Sequence, residues 1–355
     1  MRLASQRIEL PGRQRFGVAD TVRHLLAIQA QDFAQALWAV GLRTGGALRG
    51  EVLGALAAGE VVRTAPLRGT LHFVAAEDLR WLLALTASRT LAAGATRFRE
   101  LGLDQQTFDH AGDIARRVLA GAGDAQGPGL TRDRFLAELQ SGGISIDGQR
   151  GYHIIFYLSH RALVCWGPPR GTQQALVLVD DWIAAGAQPN RDESLREIAV
   201  RYFTGHGPAA VHDLARWAHL TLADATKGIT LALDVLERLD FEGGDQWARA
   251  SGAGAPGPAR RPSRVHLLPG FDEYLIGYQN RAPALAPDLA SRVIPGKNGI
   301  FLPIIVSGGR VAGTWRKTPA AKTPDVMLDP FRGLTAGETA DLHRATRSYL
   351  KFSAG

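Results

Sequence analysis

Apolar residues recur at helical spacing through much of the chain, and short alternating segments that end in turns interrupt them. In the first stretch, Asp20 is suited to cap a helix over 21–28, and two further helices are predicted over 33–42 and 48–59. A β-like segment follows at 61–74. This stretch therefore combines three helices with a short hairpin.

The same order of elements recurs twice more along the chain. Helix, tight turn, helix and hairpin are typical of a winged helix-turn-helix, which places one helix in a DNA groove. A small helical subdomain would explain any one of these three repeats, but three repeats in one basic chain favour the winged helix. In the two later repeats the predicted helices are 108–119, 132–140, 149–162 and 195–203, one after Gly207-Pro208 and one from Thr221 to Leu239. The predicted strands are 163–164 and 175–179.

We therefore expect a mainly α fold with short β-hairpins, of the α+β class, built from three tandem winged helix-turn-helix units. The first unit is expected at 1–105 and the second at 106–192. The third, at 193–355, includes a flexible loop at 249–263, a β-rich stretch at 300–315 and a helix near 336–352.

The composition is that of a globular protein with a surplus of positive charge. The chain has 355 residues, which is long enough for two or three domains with a buried core. Of these residues, 45% are hydrophobic and 21% are charged, as is usual in globular proteins. Lys and Arg outnumber Asp and Glu by 41 to 34, which favours a polyanionic partner, nucleic acid before membrane. All but five of these cations are arginine, however, and a bias in coding composition would give the same surplus.

Cysteine content and hydropathy narrow the cellular setting. Cys165 is the only cysteine, which excludes an internal disulfide and fits a reducing cytoplasm. No stretch approaches 18 uninterrupted apolar residues, and the N-terminus has no apolar leader core. We expect a cytoplasmic protein without a membrane partner.

The sequence lacks the common motifs for metal ligation and for cofactor binding. None of the ten histidines forms His-x-x-x-His or His-Glu-x-x-His, and the pairs 153/160 and 212/219 are too far apart to share an ion on one helix turn. There is no Gly-x-Ser-x-Gly, no Walker loop and no Gly-x-Gly-x-x-Gly after a strand. We expect no metal and no cofactor, and hydrolases, kinases and dehydrogenases that use those motifs are not supported.

Two glutamines separated by one residue stand out, in Gln29-Ala30-Gln31-Asp32. In a helix, positions i and i+2 diverge by roughly 200° around the axis, so the two amides share a direction only where the backbone is extended. A turn between two helices would aim both neutral amides at one spot. Such an arrangement suits the positioning of a water molecule or a cation.

Arg68, Thr70 and His72 alternate with Leu71, so the three polar side chains are expected on one face of a strand while Leu71 and Phe73 face the core. A guanidinium, a hydroxyl and an imidazole on one face are suited to line a site. A solvated wing strand would show the same alternation, and the sequence favours neither interpretation.

Other polar residues are weaker candidates. The segment 272–274, Asp-Glu-Tyr, suits a buried acid network or a helix N-cap, and a structural role is the favoured interpretation. Loop or strand-end cations are candidate phosphate contacts, although for each alone a solvated surface charge is the favoured interpretation; these are Arg170, Arg261, Arg264, Arg316 and Lys317.

Five blocks of sequence, taken in order, resemble the AlkZ/YcaQ-type DNA glycosylases. They span roughly residues 20 to 317, nearly the whole chain. The glutamine block alone is weakly specific, and five ordered blocks are strongly so. The blocks are Leu-Ala-Ile-Gln-Ala-Gln-Asp with Ala-Leu-Trp-Ala at 26–39, Arg-Gly-Thr-Leu-His at 68–72, Asp-Leu-Ala-Arg-Trp at 213–217, Leu-Leu-Pro-Gly-Phe-Asp-Glu-Tyr at 267–274 and Gly-Gly-Arg-Val-Ala-Gly-Thr-Trp at 308–315.

The resemblance implies three winged-helix units in a C-shaped arrangement around double-stranded DNA, acting as a monomer. It implies excision of N7-alkylated purines and unhooking of interstrand crosslinks. The family's glutamine–aliphatic–glutamine motif falls on Gln29 and Gln31, which become the expected catalytic pair. The YcaQ-like branch has aspartate where this chain has Gln31, so this chain resembles the AlkZ branch.

The chemistry implied by the resemblance suits neutral amides. Alkylation at N7 puts a positive charge on the base, so the base leaves without a proton from the enzyme, which must stabilise a sugar cation and place water. We expect selectivity for cationic lesions, with the hairpin at 167–174 entering the groove. A non-catalytic winged-helix regulator is the main alternative, and a drug-sequestering resistance protein is a third.

Overall fold

Three successive units of the chain share one order of elements: a helix, a short strand or bridge, two helices and a hairpin. The computed structural model describes residues 1–10, 14–124, 127–170, 173–241, 244–250, 264–296, 299–318 and 325–355. The mixture of helices and short hairpins expected from the sequence is confirmed. The first unit follows a helical turn α1 (Arg2–Ser5) and consists of α2 (Val18–Leu25), β1 (Ile28–Gln29), α3 (Phe33–Arg43), α4 (Arg49–Ala57), β2 (Val61–Leu67) and β3 (Thr70–Ala75).

A 22-residue helix, α5 (Leu79–Glu100), joins the first unit to the second. The second unit again places a short strand, β6 (Leu130–Thr131), directly before its last two helices, and that strand pairs with β8 (Gln173–Leu178), the final strand of the hairpin. Its elements are α6 (Gln105–Leu119), β4 (Gly123–Asp124), β5 (Gly127–Pro128), β6 (Leu130–Thr131), α7 (Arg132–Ser141), α8 (Arg150–His160), β7 (Val164–Arg170), β8 (Gln173–Leu178) and α9 (Val179–Trp182).

The third unit repeats the order with a single bridge, between Ala209 and Trp247, in place of the first strand. The predicted helix from Thr221 to Leu239 is wrong beyond residue 230, because the chain turns there and forms a strand. Most of the predicted loop at 249–263 lies outside the described residues, as does Arg261. The elements are α10 (Arg191–His206), α11 (Val211–Ala218), α12 (Leu222–Thr230), β9 (Leu236–Phe241) and β10 (Gly244–Arg249).

A C-terminal extension adds a second antiparallel sheet, in the strand order β11-β12-β13-β14, and a long final helix. The helix α15 begins at a capping box in which Thr335 and Glu338 satisfy each other's backbone N–H groups. The elements are β11 (Val265–Leu268), α13 (Glu273–Ile276), α14 (Ala290–Val293), β12 (Ile304–Ser307), β13 (Arg310–Lys317), β14 (Val326–Pro330) and α15 (Ala336–Ala354).

The sheet and the cores cross the unit boundaries expected from the sequence. Strands of the first and second units form one six-stranded sheet in the order β1-β3-β2-β7-β8-β6. The extension, which the sequence assigned to the third unit, shares a core with the first, where the Trp38 indole N–H donates to the Leu267 carbonyl at 2.8 Å. The edge strand β1, which carries Gln29, therefore lies where the first unit meets the extension and the third unit.

The hairpin of the second unit differs from its predicted form. Strand β7 continues through Pro168 and Pro169 instead of turning there, and its register with β8 shifts between Trp166 and Pro169. A bulge of this kind accommodates proline, which cannot donate to the ladder. As a consequence, Arg170 belongs to a strand and not to the turn.

No helix in the described part of the chain is long and apolar enough to cross a membrane.

Candidate active site

The glutamine segment, which we define as residues 29–31, lies between α2 and α3; Gln29 ends strand β1, and the chain bends at Gln31. Gln29 pairs with His72 across β1 and β3, and the Ala30 N–H donates to the Leu71 carbonyl at 2.7 Å. Asp32 then caps α3 by accepting the Gln35 N–H at 3.1 Å. Extended backbone, in which residues i and i+2 point the same way, is present at Ile28 and Gln29, whereas Gln31 lies at a bend, so the shared direction of the two amides stays a prediction.

The side-chain oxygens of the two glutamines have different surroundings. Gln31 is exposed, and its Oε1 accepts the Leu71 backbone N–H at 3.2 Å, which fixes the amide and leaves one lone pair open. The Oε1 atom of Gln29 is buried, and within the described residues no donor lies in hydrogen-bond range of it. An unpartnered buried acceptor costs about 1–3 kcal/mol, so it is suited to accept from a bound water.

Arg63, which sequence analysis missed, holds the segment from the side of β2. Its guanidinium donates to the Ala30 carbonyl at 2.9 Å, to the Gln31 carbonyl at 3.2 Å and to Gln174 Oε1 in β8. Burial lowers the pKa of Arg63 to about 10, against the attraction of Asp32. In the described part of the chain it forms no ion pair, so its charge faces neutral oxygens. A charged residue inside an apolar strand was the available signal.

A buried carboxylate, Glu273, holds the segment from the other side. Its Oε1 accepts the Gln29 backbone N–H at 3.1 Å, and its Oε2 accepts the Trp217 indole N–H at 2.9 Å and lies 3.3 Å from His206 Nε2. Burial alone would raise the pKa of Glu273, but the hydrogen bond and charge of His206, with the charge of Arg68, hold it at about 2. Of the alternatives for 272–274, both occur: Asp272 caps α13 and Glu273 belongs to a buried acid network.

Arg68, Thr70 and His72 are together, but they do not form a solvated strand face. Arg68 is the first residue of the turn between β2 and β3, with φ +54°, followed by Gly69 at +70°. Its guanidinium donates to the Trp217 carbonyl at 2.6 Å and lies 3.5 Å from His72 Nε2. Leu71, expected in the core, is only half-buried.

His72 is neutral at physiological pH. Burial, followed by the positive charge of Arg68, lowers its pKa to about 4. Its Nδ1 lies 2.7 Å from the Thr70 carbonyl, which requires the proton on Nδ1 and leaves Nε2 as the acceptor toward Arg68. His72 is therefore held within its own hairpin by Arg68 and Thr70, while its backbone pairs with Gln29.

The expected phosphate contacts outside this region divide into two groups. Arg170 is buried, donating to the Gly129 carbonyl at 2.6 Å and pairing with Asp124, so the expectation of a DNA-facing guanidinium is wrong for this conformation. Arg316 and Lys317 are exposed at the end of β13, in the extension. Neither is brought to the glutamine segment by a described contact.

Across the residues that the structure describes, no group of three or more His, Cys, Asp or Glu side chains is arranged to hold a metal ion.

The chain belongs to the AlkZ-like DNA glycosylase family, because the family model for "DNA glycosylase AlkZ-like" matches residues 22–352. A curated relative, an interstrand DNA cross-link repair glycosylase of Streptomyces sahachiroi, is 27% identical over 356 residues, which cover 96% of this chain and 94% of the relative. The solved structure of Streptomyces sahachiroi DNA glycosylase AlkZ shares the fold, with a TM-score of 0.79 at 24% identity, over 99% of this chain and 95% of that one.

Proposed function

We propose that this protein is a monofunctional DNA glycosylase that excises cationic N7-alkylated purines and unhooks interstrand crosslinks. Gln29 and Gln31 position the attacking water and stabilise the sugar cation. The observation that carries this proposal is the pair of neutral amides on one short segment, with one oxygen fixed by the Leu71 N–H and one buried oxygen that lacks a donor in the described structure.

The amides match a reaction in which the leaving group is already activated. A carboxylate acting as general base would add roughly 10²- to 10⁴-fold to the rate, and a cationic base can leave without that help. An amide carbonyl presents its negative end to the developing sugar cation and accepts a hydrogen bond from water. Uncharged lesions are accordingly poor substrates.

The three units act as tandem winged helices that surround the duplex in a C-shaped arrangement, with the boundaries 1–105, 106–192 and 193–355. Supporting this, each unit pairs the short strand or bridge that precedes its last two helices with the last strand of its hairpin. The hairpin at 167–174 enters the groove, since Gln174 at its base bonds to Arg63, which also holds Gln31. Arg63, Arg316 and Lys317 contact phosphate. The enzyme acts as a monomer at the nucleoid.

The test is release of N7-methylguanine, and unhooking of a nitrogen-mustard crosslink, by purified protein. We expect Gln29→Ala and Gln31→Ala each to lower the single-turnover rate by about 100-fold or more, while Gln140→Ala, an exposed helical glutamine, leaves it unchanged. Equal release by wild type and both site variants would show that the segment is not catalytic.

If no protein releases base, the non-catalytic alternative gains. A regulator would select a defined duplex in a gel-shift series, whereas a glycosylase binds with little sequence preference and strong salt dependence. A drug-sequestering protein would bind the alkylating agent without DNA.

A further inference from the structure

The contacts of Glu273 extend beyond packing. We propose that Glu273 is a positioning residue for the glycosylase reaction: its carboxylate fixes the Gln29 backbone and thereby the amide that places water. This inference rests on the proposed function of the glutamine segment.

The backbone N–H of Gln29 needs such a partner. Strand β1 is the edge of the six-stranded sheet, so alternate backbone groups face away from β3. Ala30 uses its N–H within the ladder, whereas the Gln29 N–H points out of it and meets Glu273 Oε1 at 3.1 Å. A buried edge N–H without a partner would be costly, and a hydrogen bond to a carboxylate is among the stronger ones in proteins.

Glu273 is itself held by two residues of the third unit. Trp217 in α11 and His206 at the end of α10 both contact Oε2, and all three side chains are almost completely buried. His206 is stacked on Tyr202, with ring centroids 4.7 Å apart. The carboxylate therefore links the third unit to the Gln29 backbone, so that the position of this backbone depends on how the third unit packs.

Glutamine cannot replace this carboxylate. Both oxygens of Glu273 accept hydrogen bonds, and an amide at this position would turn an NH₂ group toward either the Gln29 N–H or the Trp217 indole N–H. In the Glu273→Gln variant the amide oxygen should stay with the Trp217 indole and His206, where the carboxylate has two partners, so the NH₂ group faces the Gln29 N–H and that contact is lost.

Asp78 offers a matched control. It is also a buried carboxylate that accepts an indole N–H, from Trp81 at 2.9 Å, and pairs with a cation, Arg201, at 2.6 Å. It makes no described contact with the glutamine segment. Asp78→Asn therefore reproduces the loss of a buried charge without the loss of the Gln29 contact.

The first measurement is amide hydrogen exchange in the free protein, over peptides that contain residue 29. We expect Glu273→Gln to speed exchange of that amide by at least about tenfold, while Asp78→Asn leaves it unchanged. This result does not depend on activity, so it decides the positioning role even if wild type releases no base and the proposed function fails.

The second measurement is single-turnover release of N7-methylguanine. Loss of one charge-assisted hydrogen bond should slow release by about 10- to 100-fold in Glu273→Gln, with affinity for the lesion duplex within about twofold. In a Gln29→Ala background the same change should cost less than about twofold, because its effect acts through Gln29.

The proposal is overturned if exchange at residue 29 is unaffected, or if the effects of Glu273→Gln and Gln29→Ala multiply in the double variant. If Glu273→Gln does not fold, Glu273→Asp serves in both measurements, since it keeps the charge but is too short to span Gln29 and Trp217. Unchanged exchange and unchanged release in that variant would equally overturn the proposal.

Discussion

Removing the charge of Asp272 should destabilise the whole protein, because Asp272 neutralises a completely buried arginine. Arg43 has no solvent exposure, and its NH1 and NH2 groups donate to Asp272 at 2.9 and 2.7 Å. Its remaining N–H groups donate to the Ala39 carbonyl and to both the carbonyl and the side chain of Gln6. All five donors of the guanidinium are thus occupied.

The magnitude follows from leaving that arginine uncompensated. In Asp272→Asn one oxygen becomes an NH₂ group facing the guanidinium, and breaking a buried pair on one side costs about 3–5 kcal/mol. This is a large part of the 5–15 kcal/mol typical of folded domains, and corresponds to a fall in Tm of roughly 5–15 °C. Replacing both partners, as Arg43→Met with Asp272→Leu, should cost less than either single change.

Urea unfolding followed by tryptophan fluorescence measures these differences. The control is Asp113→Asn, which removes the partner of Arg116 on an exposed helix face, where both side chains are more than half exposed. We expect a change within about 0.5 kcal/mol there. A loss below about 1 kcal/mol in Asp272→Asn would refute the reasoning, since the buried arginine would then tolerate an uncompensated charge.

Three further outcomes follow from the surroundings of single residues. Arg63→Gln should weaken duplex binding and reduce the slope of log K against log salt by about 1, as measured by fluorescence anisotropy; an unchanged slope would mean that Arg63 does not contact phosphate. The pKa values of His24 and His72 are lowered to about 4, chiefly by burial, so the unfolded chain binds protons between pH 6.5 and 4 that the folded chain does not. Stability should therefore fall as the pH drops through that window, by up to about 3 kcal/mol per histidine, and His72→Gln should flatten the dependence in urea titrations. Burial raises the pKa of the Cys165 thiol to about 12, so a thiol reagent should label it only after denaturation, and rapid labelling of the native protein would contradict its burial.

Local pattern was sufficient to single out Gln29 and Gln31 as candidates, whose catalytic role stays a prediction, but not to find the residues that hold them. The spacing of Gln29 and Gln31 requires extended backbone for a shared direction, and that geometry depends on neighbouring residues alone. Glu273 lies 244 residues from Gln29, and Trp217 lies 149 residues from Arg68, so no periodicity connects them. Their contacts arise only when the third unit and the extension pack against the first.

Arg170 shows how a correct local signal led to a wrong position. Gly-Pro-Pro-Arg-Gly has the composition of a turn, and proline is rare inside strands. The bulge in β7 absorbs both prolines, so the strand continues to residue 170 and its guanidinium turns inward to Gly129 and Asp124. The prediction from the alternation at 68–72 differs from the structure for a related reason. Arg68 belongs to the turn, so its side chain does not follow the two-residue period of the strand.

Position 31 carries glutamine and not an acidic residue that could act as a general base. Neither Glu273 nor His72, which adjoin the glutamine segment, is suited to take that role. Glu273 is the buried carboxylate that touches the segment, but both of its oxygens accept hydrogen bonds and its pKa is about 2. A carboxylate that weakly basic cannot deprotonate water effectively, because general-base efficiency falls with the pKa of the base. His72 keeps its proton on Nδ1 and turns Nε2 toward Arg68. Under the proposed function, the neutral amides of Gln29 and Gln31 place the water, and a reaction without a strong base needs a leaving group that carries its own positive charge.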